Sequence, residues 1–500
     1  MLSDLLANVT LGLNTALSPS NLLYCAIGVS LGTVAGIIPG IGALTTMSLL
    51  LPLTFHLDPT TALVMLAGIW YGTTYGGSTA SILLNLPGTP STAVTCIEGF
   101  PMAQAGRASV AMFMTTIASF VGATIGIIVM MLFSPLIVKL ALDFGPVEYF
   151  SLMLLGLIAA STMSAGSTLK GLGMVGLGLL LGVVGIDVTS GADRFTFGVL
   201  ELLDGISLVA LAMGIFGVAQ VIEGVRTASP AKLSDIKLTS MLPERKEMRA
   251  AWPAMLRGSG VGSVVGALPG VGPTVGAYMA YALEKKLAKD PSRFGKGAIE
   301  GLTAPESSNN AADQTAFIPT MTLGIPGSAS MAIILGVLII HGISPGPSLV
   351  IQQPELFWGL VMSFWIGNVL LLILNIPLIG LFVRILLIPY HYLYPAILAF
   401  ICIGAFSLHN NPFDVLVVLV FGALGYIMRL LDFPPAPLLL GFVLGPIMEE
   451  HFRRALVLSQ GSFDVFFTRP ISLACLVFTA AAIAYGIYAH LRERRALSRV

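Results

Sequence analysis

The sequence GVSLGTVAGIIPGIG, residues 28–42, decides the fold of this chain because its pattern returns as GSGVGSVVGALPGVG at residues 258–272. Each copy places a glycine at every fourth position and ends in Pro-Gly-x-Gly. A second pair of phrases follows, NLPGTPS at 85–91 and GIPGSAS at 324–330. Proline and glycine break helices, and hydrocarbon accepts a broken backbone only where protein or water satisfies the freed groups. The paired breaks therefore indicate a buried polar site.

The composition is that of an integral membrane protein. Of the 500 residues, 56% are hydrophobic and 10% are charged, and the mean hydropathy is +0.91. Apolar runs long enough to cross a bilayer recur along nearly the whole length. The formal net charge of zero gives no indication of nucleic acid as a partner. The cysteines have no metal-type spacing and the histidines fall near predicted span ends, so we expect no metal other than Na⁺.

The placement of Lys and Arg predicts the topology. Residues 1–106 contain neither, whereas residues 225–257 and 284–297 are rich in both and are predicted to be cytoplasmic. These basic stretches flank 258–283, which is therefore predicted to enter and leave the membrane on one side as a re-entrant hairpin. The first copy, 24–54, has no basic flank and is predicted to enter from the opposite face. Two like sequences of opposite orientation make an inverted repeat.

We predict an all-α polytopic integral membrane protein with two inverted-topology repeats, each containing a re-entrant Pro-Gly hairpin, a broken helix and several full transmembrane helices. The N-terminus is expected to be periplasmic and the C-terminus cytoplasmic. The predicted parts are an N-terminal interfacial segment at 1–20, a first repeat at 21–224 (hairpin 24–54, broken helix 61–98, spans to 222), a basic cytoplasmic linker at 225–257, a second repeat at 258–450 (hairpin 258–283, broken helix 298–340, spans to 449), and a terminal span with a basic tail at 451–500.

Full spans are predicted near 109–133, 148–165, 171–186, 198–222, 357–384, 392–408, 412–430, 434–449 and 470–490. One loop fits this topology poorly, because residues 449–469 would be external yet contain three arginines. Acidic residues near the span ends, Asp187 and Glu148 among them, are expected to be solvated.

Polar side chains cluster between the hairpin and the second break of each half. The first half carries YGTTYGGSTAS at 71–81 and the second carries ESSNNAAD at 306–313. Such groups are costly at membrane depth unless they line a pathway. Hydroxyls and amides can donate to a carboxylate, and carboxylate and amide oxygens can surround Na⁺. Asp313 is the leading cation ligand or proton carrier, whereas Glu306 either joins this site or lies near the cytoplasmic surface.

The substrate site is predicted near mid-membrane, between the two Pro-Gly tips. A glycine turn or a helix N-terminus can hold an anion, although a single tip is also explained by a mere kink. The candidate substrate-binding residues are Pro39, Gly40, Gly42, Ser78, Ser81, Asn85, Gly88, Thr89, Gly270, Gly272, Asn309, Asn310, Gly327 and Ser328. The candidate cation-binding residues are Asp313, Asn310 and Thr322, with Na⁺ or H⁺ as the coupling ion and no other cofactor.

With these motifs the sequence resembles the large membrane subunit of tripartite tricarboxylate transporters, the TctA family. The matching blocks are residues 36–42, 75–88, 98–103, 144–150, 194–198 and 304–327, and the resemblance extends over essentially the whole chain. It implies a permease of the bacterial inner membrane that works with a periplasmic solute-binding protein (TctC-like) and a small four-helix membrane subunit (TctB-like). It also implies import of citrate-like or other organic carboxylates with an ion gradient.

We therefore expect an ion-coupled secondary transporter rather than an enzyme. The sequence has no GxxxxGK[ST] phosphate loop, so the energy is expected from a gradient or a partner. One alternative is a carboxylate-selective channel, although a continuous pore does not require two opposed hairpins. The other is a membrane-embedded hydrolase, which would need a nucleophile with a base or paired aspartates, and only Asp313 is predicted to be deep.

Overall fold

The chain is an all-α multi-pass membrane protein, apart from two strands of two residues each. The computed structural model describes residues 2–38, 41–163, 167–187, 190–227, 241–378, 380 and 390–497. Within them, four helices are long and apolar enough to cross a membrane, and shorter apolar helices accompany them. The helical fold class is therefore confirmed, while the inverted orientation of the halves and the re-entrant course of the hairpins stay predictions. The tip residues Pro39 and Gly40 lie outside the described residues.

The described residues of the first half form ten α-helices. They are α1 (Leu2–Ala16), α2 (Pro19–Ile37), α3 (Ala43–Thr54), α4 (Pro59–Leu84), α5 (Ala93–Gln104), α6 (Ala108–Ala141), α7 (Pro146–Met163), α8 (Thr168–Gly182), α9 (Leu208–Ala212) and α10 (Ala219–Thr227). A π-helical turn, Met213–Val218, joins α9 to α10, and the short strands β1 (Gly185–Ile186) and β2 (Asp193–Arg194) pair antiparallel after α8. The span predicted at 198–222 begins later than expected, because Ser207 caps the N-terminus of α9 by accepting from the amide of Ala210.

The second half contains twelve described α-helices. They are α11 (Arg245–Gly266), α12 (Gly272–Leu287), α13 (Ile299–Thr315), α14 (Phe317–Leu323), α15 (Ala329–Ile340), α16 (Pro347–Gln352), α17 (Pro354–Asn375), α18 (Tyr390–His409), α19 (Pro412–Leu430), α20 (Pro435–Leu458), α21 (Val465–Thr468) and α22 (Pro470–Leu497). Many of these helices carry proline in the first turn, where its missing N–H costs nothing.

The two glycine rows pack helices in the same way in both halves. A Cβ added at Gly28 or Gly32 would fall on the carbonyl oxygens of Met65 and Ile69 in α4. In the second half, a Cβ added at Gly262 would fall on the backbone of Ser308 in α13. Only glycine permits so close an approach of two backbones. The repeated sequence pattern is therefore a repeated helix contact, α2 on α4 and α11 on α13.

The helices α4 and α13 also pack against the long helix α6, and α17 covers α1, α2 and α4. Buried apolar side chains of α4, α15 and α17 form the largest hydrophobic cluster. The chain thereby surrounds α4 and α13 with other helices. As a result every residue of α4 from Thr61 to Leu83 and every residue of α13 from Gly301 to Thr315 is buried.

Arginines of the loop that fits the predicted topology poorly are paired with acidic residues. The pairs are Arg453 with Asp187 at 3.0 Å and with Glu449 at 2.6 Å, Arg454 with Glu450 at 2.7 Å, and Arg469 with Glu148 at 3.2 Å. These pairs offset the positive charge that argued against an external loop. The expectation that Asp187 and Glu148 are solvated is wrong, because their exposed fractions are 6% and 3% and arginines replace the water.

Candidate binding site between the two halves

The helix α13 is polar in sequence, yet it has no exposed face. Both of its acidic residues after the first turn, Glu306 and Asp313, have an exposed fraction of 0%. Of the two interpretations left open for Glu306, this burial favours the one in which it joins the site. A helix that buries two carboxyl groups and two asparagines carries a large desolvation cost, which is retained where the groups have work to do.

Three hydroxyl groups surround the carboxyl group of Glu306. Ser78 of α4 lies 2.9 Å from Oε1 and 2.8 Å from Oε2, and Ser119 of α6 lies 3.3 Å from Oε2. The hydroxyl of Thr95 in α5 also donates to Oε1. In the described part of the chain, no Lys, Arg or His forms an ion pair with this carboxyl group. The cage is therefore made of neutral groups alone.

Asp313 meets the same helix of the first half two turns further along α13. The hydroxyl of Thr74 donates to its Oδ2 at 2.7 Å, and its Oδ1 has no hydrogen-bond partner among the described residues. Thr74 and Ser78 are one turn apart on α4, so they share a face, as Glu306 and Asp313 do on α13. The polar stretches of the two halves therefore meet along one line of contact.

Unsatisfied polar atoms are concentrated on α13. Buried polar groups are nearly always hydrogen-bonded, and an unpaired one costs about 1–3 kcal/mol. Within the described residues, six buried side-chain atoms of this single helix lack a partner. They are Ser308 Oγ, Asn309 Nδ2, Asn310 Oδ1, Asp313 Oδ1, Gln314 Oε1 and Gln314 Nε2. Such a concentration in one helix is typical of a binding site for a polar ligand.

These atoms do not all share one face of α13. Ser308 Oγ lies beside Gly276 of α12, and the Cβ of Gln314 lies beside Gly126 of α6. Asn309, Asn310 and Asp313 lie between them, and Asn310 Nδ2 donates to Asn309 Oδ1 at 2.8 Å. Of the predicted residues, the structure thus brings together Ser78, Asn309, Asn310 and Asp313 along the α4 and α13 contact.

The second phrase of the first half forms a tight turn after α4. Asn85 ends α4 in the left-handed conformation, with φ of 56°, and is exposed. Gly88 and Thr89 are buried, and a Cβ added at Gly88 would fall on the carbonyl of Gly36. The hydroxyl of Ser81 is already used, because it lies 2.9 Å and 3.0 Å from two backbone carbonyl oxygens. Ser81, Gly88 and Thr89 therefore lie at or just after the C-terminal end of α4. Asn85 is exposed and lies apart from the polar side chains of α13.

The glycines of the two Pro-Gly tips differ in what surrounds them. Gly270 and Gly272 adopt φ of 80° and 71°, which favours glycine at both positions. A Cβ at Gly270 would lie 2.6 Å from the backbone nitrogen of Ala160 in α7, whereas Gly272 has open space. A Cβ added at Gly42 would meet, among the described atoms, only the carbonyl oxygen of Gly88, at a distance of 4.0 Å. The second tip is therefore seated against α7.

The remaining candidates follow α13 in the chain. The hydroxyl of Thr322 donates to the carbonyl of Ile318 in its own helix at 2.7 Å. Ser328 caps α15 by accepting from the amide of Met331 at 3.3 Å, and Gly327 is buried. The N-terminus of α15 is thus already capped by Ser328, and the Thr322 hydroxyl already donates its hydrogen to a backbone carbonyl.

Sequence reasoning did not assign a role to Thr74, Thr95 or Ser119. Nothing in the sequence distinguishes these hydroxyl residues from many others in the chain. Thr74 does lie one turn before Ser78, so helical spacing on α4 could have identified it. Thr95 and Ser119 come from α5 and α6, and only the packing of those helices brings them to Glu306.

Glu98 is a further buried acidic residue between the halves, and it too was assigned no role. It accepts hydrogen bonds from the amides of Gly295, Gly297 and Ala298 at 2.6–2.7 Å and from the hydroxyl of Tyr281 at 2.9 Å. It therefore fixes the loop that leads into α13. A surface cavity of 420 Å³ lies beside this loop and includes Lys246 and Lys296 in its lining.

Comparison with known proteins gives one family and two relatives. The family model described as the "Tripartite tricarboxylate transporter TctA family" matches residues 22–440. An Agrobacterium vitis protein, the "Uncharacterized 52.8 kDa protein in TAR-I ttuC' 3'region", is 46% identical over 492 residues, which is 98% of each chain. A second protein of that organism, the "Uncharacterized protein in TAR-II ttuC' 3'region", is 51% identical over 234 residues, 47% of this chain and 97% of its own. No solved structure matches the chain.

Proposed function

Because this chain belongs to the tripartite tricarboxylate transporter TctA family, we propose that it is the large permease subunit of a bacterial inner-membrane importer. Its substrates are citrate-like or other organic carboxylates, and a gradient of Na⁺ or H⁺ drives their uptake. A periplasmic solute-binding protein delivers the substrate, and a small four-helix membrane subunit completes the complex.

The observation that carries this proposal is the polar content of α13. Within the described structure, two carboxyl groups and six unpartnered polar atoms lie in the segment 306–314 of this helix, where every residue is buried. The acceptors among them, Asn310 Oδ1, Asp313 Oδ1 and Gln314 Oε1, are oxygens of the kind that bind Na⁺. The donors, Asn309 Nδ2 and Gln314 Nε2, are of the kind that binds a carboxylate. One helix thus offers groups for both an anion and a cation.

The charges of the substrate and of the two carboxyl groups couple substrate binding to cation binding. Like charges repel strongly where water is scarce, so an anionic substrate does not bind beside two ionised carboxyl groups. A cation at Asp313, or a proton on either carboxyl group, removes this repulsion. Binding of the substrate and of the cation therefore favour each other, which is the thermodynamic basis of symport.

The closed state of the site fits alternating access. Residues 306–315 are buried, so in this conformation the substrate has no open path from either side. The contact between α4 and α13 joins one polar stretch from each half. Rocking of the halves about this contact would open the site to one side at a time. Asp313, Asn309 and Asn310 are the residues that we expect to contact the ions, with Ser78 contributing from the first half.

The hydrolase alternative is not favoured by the placement of the carboxyl groups. A paired-aspartate mechanism needs two carboxyl groups close enough to share a proton. Glu306 and Asp313 are seven residues apart on one helix, which separates them by about 10 Å along its axis. Each has its own hydroxyl partners. The two carboxyl groups are therefore better suited to two separate binding positions than to a single catalytic dyad.

Counterflow in proteoliposomes tests the proposal. The full chain is reconstituted with its cognate membrane subunit and solute-binding protein, loaded with unlabelled citrate, and given labelled citrate outside, followed by a panel of dicarboxylates and aromatic acids. We expect labelled substrate to accumulate transiently and an imposed Na⁺ or H⁺ gradient to drive net uptake. A channel would equilibrate the label without overshoot, and a hydrolase would release products. Either result would overturn the proposal.

A matched pair of asparagines locates the site. Asn310 and Asn375 are both buried, and both donate from Nδ2 to a carbonyl one turn earlier in their helices, at 3.0 Å. Asn310 Oδ1 lacks a partner within the described structure. We expect Asn310→Ala to lose counterflow and Asn375→Ala to retain it. Equal activity of the two variants would remove Asn310 from the site.

A further inference from the structure

We propose that Glu306 is the proton-carrying residue of this transporter, and that the Ser78 hydroxyl changes acceptor as the proton arrives and leaves. This inference rests on the proposed transport function and adds a coupling role for a residue that is distinct from Asp313. It divides the two buried carboxyl groups of α13 between a proton and a metal cation.

Glu306 is surrounded by groups of one kind. All three of its partners, Ser78, Thr95 and Ser119, are hydroxyls. A hydroxyl can donate and accept, whereas an amide N–H can only donate. The same cage therefore satisfies a carboxylate, which accepts from the hydroxyls, and a carboxylic acid, which donates one hydrogen bond of its own.

The Ser78 hydroxyl has an alternative acceptor within hydrogen-bond distance. Its Oγ lies 2.8 Å from Glu306 Oε2 and 3.2 Å from the backbone carbonyl oxygen of Thr74. When Glu306 is ionised, the Ser78 O–H donates to the carboxylate. When Glu306 takes up one proton, its new O–H donates to Ser78 Oγ, and the Ser78 hydrogen turns to the carbonyl of Thr74. Both states are fully hydrogen-bonded, and only a hydroxyl rotates.

The surroundings of Glu306 provide no positive charge among the described residues. Within this part of the chain, the titratable groups that interact with Glu306 are Tyr75 of α4, Cys96 of α5 and Asp313 of its own helix, and none is cationic. The long helix α6 contributes the Ser119 hydroxyl. An ionised Glu306 is thus a buried charge without a counter-ion, a state that a proton relieves.

The two carboxyl groups differ in the room that they leave for a metal ion. Both oxygens of Glu306 already accept hydrogen bonds from hydroxyls, so neither is left without a partner. Asp313 has one oxygen held by Thr74 and one without a partner among the described residues. The geometry therefore assigns the proton to Glu306 and the open coordination position to Asp313.

In each transport cycle, one proton enters from the outside together with one substrate molecule. The proton is then released to the cytoplasm. The carboxylate of Glu306 binds the proton, which removes its negative charge and allows the anionic substrate to approach α13. After the site opens inward, the proton dissociates and the carboxylate recovers its three donors. No bond other than the O–H bond forms or breaks.

The variant Glu306→Gln tests the inference because it keeps the size of a protonated glutamate and cannot ionise. We expect counterflow to persist, since exchange requires no net proton movement. Accumulation driven by a pH gradient should fall about tenfold or more. The exposed Glu355→Gln is the control and should behave as the unsubstituted chain. Undiminished pH-driven accumulation in Glu306→Gln would overturn the inference, and so would loss of counterflow, which would place Glu306 in the substrate site.

A spectroscopic measurement keeps the test independent of transport. Infrared difference spectra of the purified chain between acidic and alkaline buffer should contain the carbonyl band of a buried carboxylic acid. That band should vanish in Glu306→Gln and remain in Asp313→Asn. The opposite assignment would overturn the inference.

The failure of the inference is distinguishable from the failure of the proposed function. If the unsubstituted chain shows no counterflow, the transport function fails. If it shows counterflow but Na⁺ alone drives accumulation, transport stands and the proton role of Glu306 is wrong. Ser78→Ala, which removes the rotating hydroxyl, should weaken pH-driven accumulation, whereas Ser134→Ala, at a fully buried serine of α6, should not. Equal effects of the two serine variants would contradict the role of Ser78.

Discussion

Glu98 and Glu306 are both glutamates without exposed surface at contacts between the two halves, yet the groups around them differ in kind. Glu98 accepts from three backbone amides of the loop at 295–298 and from Tyr281. Glu306 is held by hydroxyls alone. Amides are fixed donors that require an acceptor oxygen, whereas hydroxyls reverse. The first arrangement is suited to holding a loop in place, and the second is suited to a group that changes state.

The difference teaches that burial of a carboxyl group does not by itself identify a functional site. Glu98 and Glu306 cannot be separated by depth, since both have an exposed fraction of 0%. They are separated by their donors and by their neighbourhood. The helix of Glu306 carries six unpartnered atoms among its described residues, and α5, the helix of Glu98, carries none in the described structure.

The largest expected effect comes from the carboxyl group with the open position. Asp313→Asn removes the negative charge but keeps the hydrogen bond from Thr74, so folding should be little changed. We expect the Na⁺ dependence of uptake to be lost completely while the pH dependence remains, measured as uptake against external Na⁺ and pH. Asp143→Asn, at an exposed position after α6, is the control. Unchanged cation dependence in Asp313→Asn would remove Asp313 from the coupling site.

A second prediction tests the comparison directly by making the same substitution at both glutamates. In Glu98→Gln, the new amide group faces the backbone N–H donors, and we expect the free energy of unfolding to fall by about 3 kcal/mol. In Glu306→Gln, the hydroxyls reorient, and the change should stay within about 1 kcal/mol. Thermal unfolding in detergent measures both. Equal destabilisation would mean that the two cages are alike and that the proton role of Glu306 lacks its structural basis.

Much of the fold could be predicted from the sequence because its signals are local. Apolar length gives the helices, and the spacing of Gly28, Gly32 and Gly36 gives a smooth helix face. The recurrence of that spacing at Gly258, Gly262 and Gly266 gives the repeated helix contact. What the spacing could not specify is the partner of each face, because α4 and α13 lie far along the chain from the glycine rows and are chosen by tertiary packing.

The site could be predicted in part for the same reason. Asp313 and Asn310 stand in a polar run that the sequence makes conspicuous. The burial of Glu306 among hydroxyl groups could not be predicted, because Thr95 and Ser119 belong to other helices and contact Glu306 only through tertiary packing. Neither could the role of Glu98, whose donors are backbone amides that have no signature in the side-chain sequence.

A third prediction concerns the scaffold that both glutamates share. A Cβ at Gly262 would meet the backbone of Ser308, whereas a Cβ at Gly260 on the same helix meets nothing within 4 Å. Gly262→Ala should therefore lower the free energy of unfolding by about 2 kcal/mol, because backbone cannot yield as a side chain does. Gly260→Ala should be neutral or stabilise by up to about 1 kcal/mol through helix propensity. If both variants are equally stable, α11 and α13 do not pack as closely as described, and the line of contact that includes Glu306 loses its support.

The smallest effect is expected from the donor of the Glu98 cage that comes from a side chain. Tyr281→Phe removes one hydrogen bond to Oε1, but the amide of Gly295 still donates to that oxygen at 2.6 Å, and the ring keeps its edge contact with Phe294. We expect a loss of about 1 kcal/mol in thermal unfolding and no change in the pH dependence of uptake. Tyr278→Phe, on the same helix and half exposed, should cost nothing measurable. A shift in pH dependence for Tyr281→Phe would show that Glu98 titrates during transport, and the division between a fixed and a reversible carboxyl group would then be wrong.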